Sequence, residues 1–391
     1  MITELFEKID GTYEPRPFKM SAENVKLNWE SKQDPTDNLQ NKIQSLYNSR
    51  VINWESVVNG YSLPTSIDTA YPFCHWQDVA YGNGVWVAVG TGYHGAHTIV
   101  QTSHIVYSTD GKNWNMVDGM DKDYKCVEYN DVESKFLVLT ADGAYKVTSS
   151  DGINWSQSAT SFPSQFTGKG ISKLKCYNGL FYLLFDASIS QYSYSDNGTS
   201  WSVTDTGYVG HFNDIIFSNI GDIYIGGTDI LLYKGYDTSV WGKFDINCDM
   251  LANGIINGCP IILLVAKPNA ANNFTVLMVF NEEDGTNQVM TNTNINPHSV
   301  IYDEHSQRFI MIEKEKKQSK GATNIIYVSQ NGLNWYKMGV SDSAHWSGIT
   351  TNDNGQYVMV SEYGLFNQFV APYKAEKIPS GIFAYGRIRE Y

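Results

Sequence analysis

A heptapeptide, Ser-x-[Asp/Asn]-Gly-x-x-Trp, recurs along this chain at a nearly constant interval. A chain that repeats one turn signal in this way is committed to repeating one supersecondary unit. Four copies match in full: Ser108–Trp114, Ser149–Trp155, Ser195–Trp201 and Ser329–Trp335. Two degenerate copies lie between the third and the last. Gly235–Trp241 keeps Asp237 and Trp241, whereas Glu282–Gln288 keeps Asp284 and Gly285 but has Gln where Trp belongs. The final positions, 114, 155, 201, 241, 288 and 335, are separated by 41, 46, 40, 47 and 47 residues. In each copy the acidic or amide side chain (Asp110, Asp151, Asn197, Asp237, Asp284 or Asn331) is placed to accept hydrogen bonds from N–H groups of its own turn, and Gly supplies positive φ. The aromatic residue (Trp114, Trp155, Trp201, Trp241 or Trp335) opens the next strand and packs back over the turn, so the motif reads as a hairpin loop.

A second hairpin precedes each motif. Trp76–Tyr81 turns at Gly82-Asn83-Gly84 into Val85–Val89, and its counterparts are Tyr124 to Leu139, Leu174 to Leu183, Phe212 to Ile225, Asn253 to Val265 and Ser299 to Ile312. Two hairpins per repeat give four strands, which is one blade of a β-propeller. The composition agrees: 26 Tyr, 17 Phe, 10 Trp and 33 Gly suit half-buried strands and tight turns. A further hairpin, Trp346 through Val360, follows the last motif, with a third strand expected near Phe366 to Tyr373 and no motif after it. The missing outer strand is expected from the other end of the chain, because Val51–Val57 resembles the Asn-Trp strands that follow the motif elsewhere. Closing the ring in this way removes an open sheet edge. The fold expected is therefore an all-β propeller of seven four-stranded blades over residues 51–391, closed by an N-terminal strand. A count of six applies if Asn253 to Gln288 is an insertion.

These motifs resemble the Asp-box repeats of the sialidase-like and BNR-type propellers, in a short form with Asp directly before Gly. That resemblance implies a fold more than an activity, because in those families the boxes lie at the blade periphery. It does not extend to sialidase chemistry, which needs three arginines from separate blades to clamp a carboxylate. Arginine occurs here only at positions 16, 50, 308, 387 and 389, so none lies between residues 51 and 307. Lysine supplies charge but not the bidentate fork. No nucleophile motif, phosphate loop or metal-spaced cluster is present, so no catalytic residue, metal or cofactor is expected. The carboxylates Asp78 and Asp214 occupy equivalent repeat positions, which repetition explains as well as catalysis would. The five cysteines are odd in number, far apart and without a CxxC pair, as expected of reduced thiols.

Residues 1–50 do not follow the repeat. Asp34-Pro35 followed by Leu39, Ile43, Leu46 and Tyr47 predicts one short amphipathic helix, and Tyr13–Pro17 reads as extended. A leader with so little core of its own is expected to order on the propeller, on copies of itself or on another protein. No secretory signal opens the chain and no run approaches the ~18 apolar residues of a membrane span. The net charge of −13 opposes non-specific nucleic-acid binding. A propeller behind an attachment-like leader resembles the receptor-binding proteins and fibres of bacteriophage virions. Scarce Arg beside abundant Asn, Ile, Lys and Tyr fits the AT-rich coding of phages with Gram-positive hosts.

That resemblance implies a non-enzymatic adhesin, made in the host cytoplasm and carried on the virion. It would recognise a cell-surface polysaccharide or teichoic-acid-like glycan, with residues 1–50 joined to other virion tail proteins or to further copies of the chain. Two other readings stay open: a glycan-degrading hydrolase or lyase using carboxylates at the channel mouth, and a structural scaffold that binds another protein. The candidate ligand contacts are His75, Trp76, Tyr93, His94, His211, His345 and Trp346. A histidine recurs at the head of the innermost strand in four repeats (His75, His211, His298, His345), and Thr91–His97 forms a long loop with an aromatic side chain. The run Glu313–Lys320 reads as a solvated charged loop.

Overall fold

Segments such as Val85–Val89 and Phe136–Leu139 are continuously apolar, with no alternation, so they must be covered on both faces. The computed structural model shows how. It describes residues 6–9, 12–15, 54–56, 74–92, 103–111, 114–256, 258–267, 274–292, 295–304, 306–313, 325–339, 345–352, 356–362 and 373–375. The chain divides into two units, Met1–Ser49 and Arg50–Tyr391. In the first, β1 (Phe6–Ile9) pairs antiparallel with β2 (Thr12–Pro15). The helix predicted after Asp34 lies outside the described residues.

The second unit begins with β3 (Trp54–Ser56) and continues as a succession of antiparallel sheets. The first comprises β4 (Cys74–Gly82), β5 (Val85–Gly92), β6 (Ile105–Ser108) and β7 (Asn115–Met116). The next comprises β8 (Tyr124–Asn130), β9 (Lys135–Thr140), β10 (Tyr145–Ser149) and β11 (Ser156–Ala159). A seven-stranded sheet follows: β12 (Ile171–Tyr177), β13 (Leu180–Phe185), β14 (Ser188–Ser195), β15 (Ser202–Phe217), β16 (Ile223–Gly227), β17 (Ile230–Lys234) and β18 (Gly242–Phe244). Its 16-residue strand β15 closes one set of four strands with its first half and opens the next with its second half.

Strands β19 (Met250–Ile256), β20 (Cys259–Ala266), β21 (Thr275–Asn281) and β22 (Asn287–Asn292) form a sheet of their own, which takes in the Asn253 to Gln288 region. Strands β23 (Pro297–Asp303), β24 (Arg308–Glu313), β25 (Ile325–Ser329) and β26 (Tyr336–Gly339) form another. In the last, β27 (His345–Thr351), β28 (Tyr357–Glu362) and β29 (Tyr373–Ala375) are completed by the N-terminal β3, with Tyr373 opposite Ser56 and Ala375 opposite Trp54. The first strands of successive sets (β4, β8, β12, the second half of β15, β19, β23 and β27) line one common channel. The second strands lie between neighbouring sheets. Val87, Ala88, Val89, Leu137, Val138 and Leu139 lose all their exposure there, each worth about 1.5–3 kcal/mol for a Val or Leu taken from water.

The four full motifs share one bond, from the glycine N–H to the serine Oγ. Ser149 Oγ accepts from Gly152 N (2.9 Å) and donates to Asp151 Oδ1 (2.9 Å). Asp151 Oδ1 accepts from Ile153 N and Asn154 N at 2.9 and 2.7 Å, and Trp155 Nε1 donates to Gly152 O at 3.0 Å. These donors hold the Asp151 carboxyl well below the ordinary carboxylate range, with the Asn154 backbone N–H the largest influence. Asn331 and Trp335 repeat the pattern, with Trp335 Nε1 2.8 Å from Gly332 O. Asn197 accepts from Thr199 N and Ser200 N, but the buried Trp201 indole N–H finds no hydrogen-bond acceptor among the described residues.

Glycine is needed at these turns for two reasons. Gly152 has φ 72°, and a Cβ there would stand 2.9 Å from Val85 Cγ1 of the preceding sheet. Gly332 has φ 73°, and its Cβ would stand 2.7 Å from Val279 Cγ2 of the sheet before it. The motif is thus a wedge between sheets as well as a turn.

The two degenerate copies depart from expectation. In the first, the acceptor that supports the turn is Asp222, not Asp237: Asp222 Oδ1 takes Tyr236 N at 2.7 Å and Oδ2 takes the Tyr233 hydroxyl at 3.1 Å. Trp241 is still buried, with Lys234 Nζ 5.9 Å from its ring centre. In the second, Asp284 caps a short turn through Thr286 N (2.8 Å), and Gly285 meets nothing within 4 Å, so this turn projects into solvent and wedges nothing. Without a buried Trp, no neighbouring sheet holds it.

Candidate functional site: the central channel

Each lining strand carries an irregularity at the same point. Register slips by one residue at Gln77 in β4, Lys125 in β8, Ser172 in β12 and Asn213 in β15. It slips again at His298 in β23 and Ser347 in β27. In β19 the equivalent is Asp249, whose N–H donates to Val265 O while Met250 is the residue in register with Val265. A β-bulge re-aims the side chains around it. All of these residues line the channel, which encloses about 650 Å³.

Several of these side chains tie one lining strand to the next. Ser172 Oγ donates to Phe212 O at 2.9 Å, and Ser347 Oγ donates to Trp76 O at 2.5 Å. The second bond joins the last lining strand to the first across 271 residues of sequence. One residue past the bulge, a carboxylate does the complementary work. Asp78 Oδ2 accepts from Val127 N (3.1 Å) on β8, and Asp214 Oδ2 accepts from Leu251 N (3.0 Å) on β19. Their other oxygens accept from the N–H groups of Val79 and Ile215. The equivalence of Asp78 and Asp214 in the repeat thus has a structural cause: both are latches between neighbouring strands.

Asp78, Lys125, Glu128, Lys173, Lys175 and Asp214 lie on one arc, from β4 to the second half of β15. Lys173 Nζ lies 3.7 Å from Asp214 Oδ1, and Lys175 Nζ lies 3.5 Å from Glu128 Oε1. Burial raises the Asp78 and Glu128 carboxyls above their ordinary values, and the Glu128 carboxylate raises Lys175. Glu128 keeps 23% of its side chain exposed and Lys175 37%, so channel water reaches both and screens the pair. The opposite arc, β19 to β27, presents amides and hydroxyls such as Asn253, Ser299 and Thr350 beside Asp249, Lys267 and His298, with Asp249 Oδ2 accepting from Asn247 Nδ2 and the Lys267 backbone N–H at 2.8 and 2.7 Å. Among the described residues, no group of three or more His, Cys, Asp or Glu side chains has the geometry to hold a metal ion.

The residues singled out in the sequence fall in different places. Trp76 is 1% exposed and packs with Trp86, Trp114 and Val358, so it is a core residue with no face for a ligand. His75, His211 and His345 all stand two residues before the bulge, but His298 is itself the bulge residue, so the four do not share one repeat position. His298 lines the channel. His211 is half-buried, with Nδ1 3.7 Å from Asp186 Oδ1. Register places Trp346 opposite Ser361 on β28. Tyr93, His94 and the rest of that loop lie outside the described residues, as does the lysine-rich part of Glu313–Lys320.

The lysines and Glu128 escaped notice because they lie in hairpins read only as scaffold. The signal was there: Lys125, Lys173, Lys175 and Glu128 are the charges within two otherwise apolar lining strands. If Asp214 is a latch, Asp214→Ala should strand the Leu251 N–H and the Lys173 charge and cost about 2–4 kcal/mol in urea denaturation. Asp214→Asn keeps an acceptor oxygen and should lose less than half as much. Equal losses would show that charge, not the backbone bond, is what the site needs.

No family model and no curated protein matches the chain. Solved structures do. A streptogramin B lyase superposes with a TM-score of 0.57 at 10% identity, over 83% of this chain and 97% of that one. YCF48 bound to a D1 peptide gives 0.53 at 11% identity, over 84% and 97%. A chain of a mitotic checkpoint complex gives 0.55 at 9% identity, over 81% and 96%. At such identities the likeness bears on the fold alone. The fold and channel define a β-propeller.

Proposed function

We propose that this chain is a seven-bladed, Asp-box-type propeller that serves as a non-catalytic receptor-binding module of a bacteriophage particle, with a host cell-surface glycan seated in the channel. The observation that carries the non-catalytic part is the engagement of the channel carboxylates. Asp78 and Asp214 each spend both oxygens on backbone N–H groups, and Glu128 faces Lys175. A glycosidase needs two carboxyl groups free to face one glycosidic bond. The polar, hydroxyl-rich channel supports a sugar ligand, and the separate first unit supports attachment to other tail proteins.

The hydrolase or lyase reading draws on one observation. Asp78 bonds to the N–H of Val127, the neighbour of Glu128, so two carboxyls with raised pKa values stand close together. Incubation of the full chain with cells and purified wall glycan from a panel of Gram-positive hosts separates these readings. Saturable attachment without soluble reducing sugar is the expected result. Sugar release that scales with protein concentration would make it an enzyme, and binding to none of the panel would move the weight to a scaffold for another protein.

A further inference from the structure

We propose that Lys125 forms a seat in the channel for one oxyanion, a carboxylate or phosphate group carried on an otherwise neutral, hydroxyl-rich ligand. This rests on the reading of the channel as a binding site. Lys125 is the one lysine among the bulge residues, so the irregularity that aims serine and amide side chains at neighbouring strands here aims a charge into the channel. Ser172 and Ser347 bond to backbone carbonyls of the next strand, and Asn213 Nδ2 lies 3.5 Å from Asp249 Oδ1. Lys125 makes no hydrogen bond or ion pair with any described residue. The two other lysines of the arc are paired with Asp214 and Glu128.

The carboxylates nearby do not cancel the Lys125 charge. Asp78 is held by two backbone N–H groups, Asp214 by two more and by Lys173, and Glu128 by Lys175. An incoming oxyanion would therefore meet an ammonium group with no competing partner among the described residues. A lysine acts as a point charge and sets no fork geometry, so phosphate and carboxylate are both suited to the seat. The rest of the ligand must be neutral. The opposite arc offers Asn253, Ser299 and Thr350, which pair with hydroxyls, its Asp249 carboxylate is held by Asn247 and the Lys267 backbone N–H, and the chain's net charge of −13 repels a long polyanion.

The test uses the full chain and three probes at low ionic strength: glycerol 3-phosphate, glucuronate and neutral glucose, with binding followed by NMR titration. The two anionic probes should bind about tenfold more tightly than glucose, and the gap should shrink in about 0.5 M salt as screening sets in. Lys125→Gln should abolish the gap at an unchanged melting temperature, while Lys135→Gln, on the outward hairpin strand β9, should leave it intact. A phosphate preference over carboxylate, or the reverse, identifies the source of the oxyanion. Equal binding of all three probes, an unaltered gap in Lys125→Gln, or no binding by any probe would overturn the seat. The glycan reading fails separately: intact cells and wall glycan would then go unbound even where glycerol 3-phosphate still binds through Lys125.

Discussion

Deletion of residues 1–58 should lower the melting temperature of the propeller by about 4 °C, whereas deletion of residues 1–45 should leave it unchanged. The larger deletion removes β3, which pairs with β29 through three register positions, Tyr373–Ser56, Lys374–Glu55 and Ala375–Trp54. At about 1 kcal/mol net per hydrogen bond, losing this short ladder costs roughly 3 kcal/mol. At about 2.1 cal/mol/K of unfolding entropy per residue, a unit of this size shifts by about 1.4 °C per kcal/mol. The loss falls on one seam. The channel end is held independently by the Ser347 bond to Trp76 O, so the ring should stay joined at its axis while its outer edge opens. β29 would then present an unpaired edge, and concentration-dependent aggregation should accompany the fall in stability. Equal melting temperatures for the two deletions would sink the shared-sheet closure.

The closure was legible because Val51-Ile52-Asn53-Trp54 copies the strand that follows each motif, and a ring with one strand missing at one end predicts its source at the other. The motif was legible for a similar reason: Ser, Asp or Asn, Gly and Trp each do local work, and local work leaves a fixed spacing. What escaped is non-local. The wedge contacts of Gly152 on Val85 and of Gly332 on Val279 join residues 67 and 53 positions apart, and nothing in the heptapeptide announces them.

The same holds for the channel. A one-residue bulge shifts which side chain faces inward, so a shared place at the head of the innermost strand groups His298 with His75, His211 and His345, whereas register sets it two residues further on. It also put Trp76 at a ligand face when β4 turns it into the core. A repeat can keep its spacing after losing a contact that the spacing served: Asp237 yields the support of its turn to Asp222, whereas Asp284 still accepts from Thr286 N but has no Trp to bury its turn. Asp222 supports one of those turns, and solvent surrounds the other.

Trp114→Ala should be the most damaging substitution among the motif tryptophans, costing about 3–5 kcal/mol by urea denaturation. Trp155→Ala should cost clearly less. Both indoles donate to the glycine carbonyl of their own turn, Trp114 to Gly111 O at 3.3 Å and Trp155 to Gly152 O at 3.0 Å, so the local bond does not distinguish them. Packing does. Trp114 is 1% exposed and belongs to a cluster of Trp76, Val79, Trp86, Ala88 and Val106 from its own sheet with Val358 and Val360 from β28. It therefore fills the seam between the first sheet and the last, where the chain closes on itself, and truncation there leaves a cavity lined by both. Trp155 is only half-buried, against Phe136 at 6.0 Å between ring centres and the aliphatic residues around it, and solvent can refill part of the space it vacates. Binding to a host glycan should survive in whatever fraction of each variant stays folded, because neither ring lines the channel. Equal losses for the two variants would show that the turn bond, not the seam, sets the value of these tryptophans. A stable Trp114→Ala protein that no longer attaches to cells would place the binding surface at the sheet periphery and remove the channel from consideration.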